Sequence, residues 1–221
     1  MKQYSSFDIL GPIMIGPSSS HTAGAARIGS IARRIYGGRI DSARFYLHGS
    51  FAETYRGHGT DRALLAGILG MDPSDDRLRD SMEMAKEAGI TFEFIPAELR
   101  DAHPNTVMIE LDGENGRMCI TGSSIGGGSI VITAIDDFNL EFTGDYPTLI
   151  TSHIDRPGVI AKVTEIIRAY DINIAFMKVF RQQKGREAAM IIEMDSVLPG
   201  QAIEEIKTIN EISRVMMIEP V

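Results

Sequence analysis

The chain has 221 residues, 43% of them apolar, and 30 acidic against 22 basic side chains give a net charge of −8. That length holds one sizeable core or two modest ones, and the acidic excess would repel a phosphate backbone, which excludes nucleic acid as the expected partner. The single cysteine, Cys119, rules out an internal disulfide and cannot alone supply the thiolates that hold an iron–sulfur cluster.

In chain order, the opening MKQYSSFDILGP has one Lys and no apolar run resembling a signal peptide, and no later stretch is apolar enough to span a bilayer. A cytoplasmic protein without membrane contact is expected. From residue 22 to about residue 36, Ala25, Ile28, Ala32 and Ile35 recur at helical spacing. They predict an amphipathic helix that starts directly after Ser18-Ser19-Ser20-His21 and stops at Gly37-Gly38. ARFYLHG, ending at Gly49, reads as a strand, and stretches 60–69 and 77–88 read as helices. NTVMIEL and RMCITG flank Asp112-Gly113-Glu114-Asn115-Gly116 as the strands of a hairpin. SIVITAI and NLEFTG are further strands after the glycines at 126–128.

Around residues 144–147 the pattern restarts. TLITSHI, PGVIAKVTEIIRAYD, INIAFMKVF, REAAMIIEMD, PGQAIEEIKTI and ISRVMMIE read as strand, helix, strand, strand, helix, strand. That order predicts a ferredoxin-like βαββαβ sandwich. Two domains are therefore expected, 1–143 and 148–221.

Four polar elements fall in the first domain. GPSSSHTAG places Ser18, Ser19, Ser20 and His21 at the start of a helix, where free N–H groups and the dipole favour an anion; the same residues also read as an ordinary cap. LHGSFAETYRGHGTD sets His48 and Ser50 at a strand end and His58 in a glycine-flanked loop before a helix, the positions where α/β sites usually sit. In AHPNT, Pro104 stiffens a turn that presents His103 and Asn105. TGSSIGGGS carries Ser123 and Ser124 in a glycine-rich run that lets backbone approach a small ligand. Taken singly, each element has a structural explanation, while four in one domain predict a converging polar pocket.

A metal site is the weaker reading. No two of His21, His48, His58 and His103 stand at i, i+4, and no acidic ligand is paired with them. GPSSSHT lacks the Gly-x-Ser-x-Gly elbow of a serine nucleophile, and Cys119 falls inside a predicted strand as a small buried residue.

GPSSSHTAGAARIG, LHGSFAETYRGHGTDRALLAG, HPNT and GSSIGGG, in that order, resemble the beta domain of iron–sulfur-dependent L-serine dehydratases. Residues 148–221, opening on Asp155-Arg156-Pro157-Gly158, resemble an ACT domain. The resemblance implies an α+β chain, with a mixed α/β substrate-binding domain followed by the ACT sandwich. It implies conversion of L-serine to pyruvate and ammonia without pyridoxal phosphate. The [4Fe–4S] cluster would be ligated by a separate alpha subunit, with no metal ligand on this chain. By matching positions, His48 and His103 become acid–base or substrate-orienting groups. Ser18, Ser19, Ser20, His21, Ser50, His58, Asn105, Ser123 and Ser124 become substrate contacts. Asp155, Pro157 and Gly158 would line a regulatory site, and the ACT domain would self-associate. The alternative is a sensing module for an amino or hydroxy acid, because the same domain resembles the substrate-sensing part of some phosphoglycerate dehydrogenases.

Overall fold

A computed structural model describes residues 13–181 and 183–221. The opening twelve residues, from which the lack of a signal pattern was read, lie outside the described residues. The chain forms two compact units, one running to Asp136 and one covering Asp137–Pro220.

In the first unit a helical turn at Ser19–Ala23 leads into α1 (Gly24–Tyr36), followed by β1 (Ile40–Leu47), α2 (Ser50–His58), α3 (Thr60–Ile68) and, after a 3-10 turn at Asp76–Asp80, α4 (Ser81–Glu87). Strands β2 (Thr91–Pro96), β3 (Thr106–Gly113), β4 (Met118–Gly126) and β5 (Ser129–Ile135) complete it. They order as β2-β1-β3-β4-β5, with β1 and β2 parallel and the later pairs antiparallel. Val107, Ile109 and Leu111 on β3 share a face with Ala43, Phe45 and Leu47 on β1, as period-2 alternation requires. The helices cover that face. Phe45 stacks on Phe94 with ring centroids 4.8 Å apart, Tyr55 of α2 adds a third ring, and Ile28 of α1 sits under Gly122 of β4.

The periodic apolar residues of α1 bury against α3 as well. A Cβ on Gly29 would lie 2.3 Å from the Leu64 carbonyl oxygen, and one on Gly67 would lie 2.1 Å from that of Ala26. The two helices therefore cross backbone to backbone, which fixes α1 and the polar turn before it relative to the sheet.

The second unit opens with β6 (Phe138–Phe142) and continues as β7 (Thr148–Ile154), α5 (Val159–Ala169), β8 (Ile174–Arg181), β9 (Glu187–Met194), α6 (Gly200–Lys207) and β10 (Ile212–Ile218). Its four-stranded sheet runs β10-β7-β9-β8, antiparallel throughout, which is the predicted ferredoxin-like order. Leu149, Met190, Ile192 and Met194 meet Val163, Ile167, Ala202 and Ile206 to form its core. No helix among the described residues is long and apolar enough to cross a membrane.

Two local expectations change. His58, expected in a glycine-flanked loop, is instead the last residue of helix α2, with Gly59 at φ 70° separating it from α3. Ser123–Gly126, read with the glycine-rich run, lie within β4, and the reversal is confined to the glycines that follow. The serines at 123 and 124 therefore point to opposite sides of a strand.

Candidate active site

The turn before α1 is a π-turn. Ser18, in extended conformation at φ −141°, caps it by accepting the His21 N–H at 3.2 Å, and the Gly24 N–H reaches back to the Ser19 carbonyl. The cap reading of the serine run holds for Ser18, and the widened turn it caps displaces the following side chains from ordinary helical positions. Single π-turns recur at functional sites for that reason.

His21 is 8% exposed and bonded at both ring nitrogens. Nε2 lies 3.0 Å from Ser50 Oγ, and Nδ1 lies 3.2 Å from Ser20 Oγ and 3.3 Å from Ser18 Oγ. The His58 ring meets it edge-on at 4.8 Å and Phe51 closes another side at 5.3 Å. Burial lowers the His21 pKa, the neighbouring His58 lowers it further, and the bond with Ser50 acts in the opposite direction. A neutral imidazole surrounded by hydroxyls is thus the resting state near neutral pH. His58 Nδ1 and Thr60 Oγ1 are buried beside it without hydrogen-bond partners.

The four predicted polar elements join in a closed circuit. His21 bonds to Ser50, which opens α2 directly after Gly49. Gly49 has φ 54°, and a Cβ there would lie 2.7 Å from the Pro104 carbonyl oxygen, so only glycine lets β1 turn into α2 against the His103–Asn105 turn. The His48 N–H donates to the Thr106 carbonyl at 3.0 Å, and the Ser124 N–H donates to that of Asn105 at 2.9 Å. Thr106 Oγ1 meets Ser123 Oγ at 2.7 Å. Ser124 packs against Gly24 at the exit of the π-turn, which closes the circuit.

Within that circuit the histidines divide into two kinds. His48 Nδ1 accepts the Leu99 N–H and His103 Nδ1 accepts the Asn105 N–H, each at 3.1 Å. In a neutral ring this leaves the proton on Nε2, so both present donors outward. His48 borders a pocket of about 380 Å³ beyond the parallel ends of β1 and β2, together with Glu53 and Glu98. Phe51, Thr60, Thr106 and the Leu99 N–H belong to the site and escaped the sequence reading. Thr106 and Phe51 resemble ordinary core residues, and a backbone N–H leaves no trace in residue type.

Residues 5–89 match the serine dehydratase beta chain family, and residues 148–211 match the ACT domain. A probable L-serine dehydratase beta chain of Bacillus subtilis is 42% identical over 218 residues, 99% of each chain. The L-serine dehydratase beta chain of Peptoniphilus asaccharolyticus is also 42% identical, over 90% of each chain. This chain belongs to the L-serine dehydratase beta chain family. The D-3-phosphoglycerate dehydrogenase of Synechocystis is 30% identical over 82% of this chain and only 33% of its own length.

In the ACT domain of this family member, the Asp155–Gly158 turn serves structure first. Asp155 Oδ2 accepts the Gly185 N–H at 3.2 Å and meets Arg181 at 3.3 Å, which ties the turn to the β8–β9 hairpin. The Gly185 N–H and then the Arg181 guanidinium hold that carboxyl below its usual range. Pro157 follows, and Gly158 at φ 93° caps α5. Nearby, His153 is 2% exposed with Nδ1 unpartnered, a buried imidazole that the sequence reading passed over.

No group of three or more His, Cys, Asp or Glu among the described residues is arranged to hold a metal ion. Burial and the adjacent Glu110 raise the Cys119 thiol's pKa, the reverse of what a cluster-binding thiolate needs. The described residues of this beta chain therefore do not fit an iron–sulfur cluster as its ligands.

Proposed function

We propose that this chain is the beta subunit of an L-serine dehydratase, which converts L-serine to pyruvate and ammonia together with a cytoplasmic alpha subunit that ligates a [4Fe–4S] cluster, without pyridoxal phosphate. The observation that carries this reading is the His21 cluster. Two imidazoles and the hydroxyls of Ser18, Ser20 and Ser50, drawn from two distant segments, converge at the mouth of a π-turn. Two beta-chain relatives align over 90% or more of each chain.

L-serine presents a carboxylate, an ammonium group and a β-hydroxyl, and its conversion requires loss of the α-proton and of hydroxide. The cluster, when the partner supplies it, would act as Lewis acid toward the leaving oxygen. This chain's part is to bind, orient and accept the proton. His48 and His103, presenting Nε2–H, suit the carboxylate as oriented donors, with Asn105 beside them. His21, buried and held neutral by its surroundings, suits the proton acceptor, with the His58 ring in edge contact beside it. The working division we propose is a substrate-binding domain over 1–143 and an ACT domain over 148–221.

In the ACT domain β8 is an edge strand, and Phe176, Met177 and Val179 on it are exposed. An apolar unpaired edge supports self-association through β8, with Asp155, Pro157 and Gly158 bordering a regulatory ligand. The sensing-module alternative draws on the phosphoglycerate dehydrogenase relative, but binding alone gives no role to a buried imidazole in edge contact with a second one.

The test is anaerobic pyruvate formation from L-serine by this chain, by a cluster-loaded alpha chain, and by both mixed. Activity in the mixture alone is expected. An inert mixture with an intact cluster would transfer the chain to the sensing class.

A further inference from the structure

We propose that Thr106 is the positioning residue of this site: its hydroxyl fixes the turn that presents His103 and dictates which way the proton of Ser123 points. The proposal deepens the serine dehydratase reading and takes its substrate from it. Thr106 is the first residue of β3 and is 1% exposed. Its Oγ1 donates to the His103 carbonyl at 2.6 Å and lies 2.7 Å from Ser123 Oγ.

Proton counting orients the whole chain. A carbonyl oxygen only accepts, so the single hydroxyl proton of Thr106 is committed to His103. The short contact with Ser123 then requires Ser123 to donate to Thr106. Ser123 thus keeps only lone pairs for anything else and suits an ammonium group, not a carboxylate. This narrows the role expected of it from sequence, where it counted as a substrate contact.

The same bond controls His103. That residue's carbonyl is held by Thr106, its Nδ1 by the Asn105 N–H, and the Asn105 carbonyl by the Ser124 N–H. The His103 and Asn105 carbonyls are thereby tied to β3 and β4. The Asn105 N–H can dictate the His103 tautomer only while the turn stays in place, and Thr106 is what keeps it there. Serine at this position would supply the same proton; valine would match the shape and supply none.

The test compares Thr106→Val, Thr106→Ala and Thr106→Ser in the full chain. Steady-state kinetics are read with the alpha subunit, and the ¹⁵N signals of the His103 ring are read in the beta chain alone. Thr106→Val should lower kcat/KM tenfold or more and reveal an Nδ1–H population at His103. Thr106→Ala covers the case in which valine does not fold, and Thr106→Ser should restore both readouts. Ser123→Ala should leave the His103 tautomer unchanged, because Thr106 still donates to the carbonyl. Wild-type kinetics and a single Nε2–H tautomer in the valine or alanine variant would overturn the proposal, as would a serine variant as impaired as valine. An inactive wild-type mixture would defeat the dehydratase reading instead, and the ring signals would still decide the role of Thr106.

Discussion

Ser124 Oγ occupies the space that a Cβ on Gly24 would need: the two would be 2.1 Å apart, with Ser124 Cβ at 2.8 Å. The serine is fully buried and its hydroxyl has no hydrogen-bond partner, so shape, not bonding, joins β4 to the π-turn. Gly24→Ala should destabilise the chain by about 1–3 kcal/mol, the usual range for overpacking a core. Adding Ser124→Gly should recover most of that loss, because it removes both clashing atoms. Urea unfolding of the two single variants and the double variant gives the coupling directly. Simple additivity would show that the contact is not what sets the spacing.

The two kinds of histidine should separate kinetically. His21→Gln or His58→Gln removes the proposed proton acceptor or the ring in edge contact with it, and should lower kcat about 10²- to 10⁴-fold, the range general base catalysis contributes. His48→Gln removes an oriented donor and should act mainly through KM. Steady-state assays of each variant with the alpha subunit distinguish these outcomes. A large kcat loss in the His48 variant alone would reverse the assignment.

The sequence made the βαββαβ unit legible because each of its elements carries a clean period and a clear stop. It also marked the polar elements of the site, since GPSSSHT, HPNT and the two His-bearing runs are unusual as residue types. Helix α2 was not legible: Phe51 is its single buried residue and a glycine stands at 57, so no apolar stripe marks it. The strand assignment of Ser123 and Ser124 was hidden by the glycines beside them. Thr106 and His153 were missed because a threonine opening a strand and a histidine closing one look ordinary until their partners, or the lack of them, are known.

Stability should carry an imidazole signature. His153 is driven below its ordinary value of 6.5 chiefly by burial, against the opposing pull of Asp155 and the Thr151 carbonyl, and His21 is lowered in the same direction. As pH falls, the unfolded chain therefore binds these protons first. The stability they leave intact above pH about 6.5 is lost as pH drops through the folded values. Glu193 works oppositely, since burial raises its pKa and the folded chain takes up its proton first, so its cost grows as pH rises above 4.5. Between pH 7 and 5 the His153→Gln variant should lose less Tm than the wild-type chain. Equal losses in thermal scans at the two pH values would show that His153 does not contribute.

Self-association should depend on the β8 edge. Val179 is 40% exposed on that strand, and a charge there blunts an unpaired edge. Val179→Lys should weaken self-association tenfold or more in sedimentation velocity, whereas Val197→Lys, at an exposed valine outside any strand, should not. Loss of assembly in neither variant would place the interface elsewhere.

The π-turn at Ser19–Ala23 contains one more residue per turn than the helix it feeds. Helix α1 has its rotation set by the close crossing of Gly29 and Gly67, so the extra residue acts as a phase adjuster between two otherwise incompatible angular settings. The apolar stripe is free to face the core while the hydroxyls face His21. Deleting one residue from the serine run would leave the helix in place and turn the hydroxyls roughly 100° away from the imidazole, the angle that separates successive residues at 3.6 per turn.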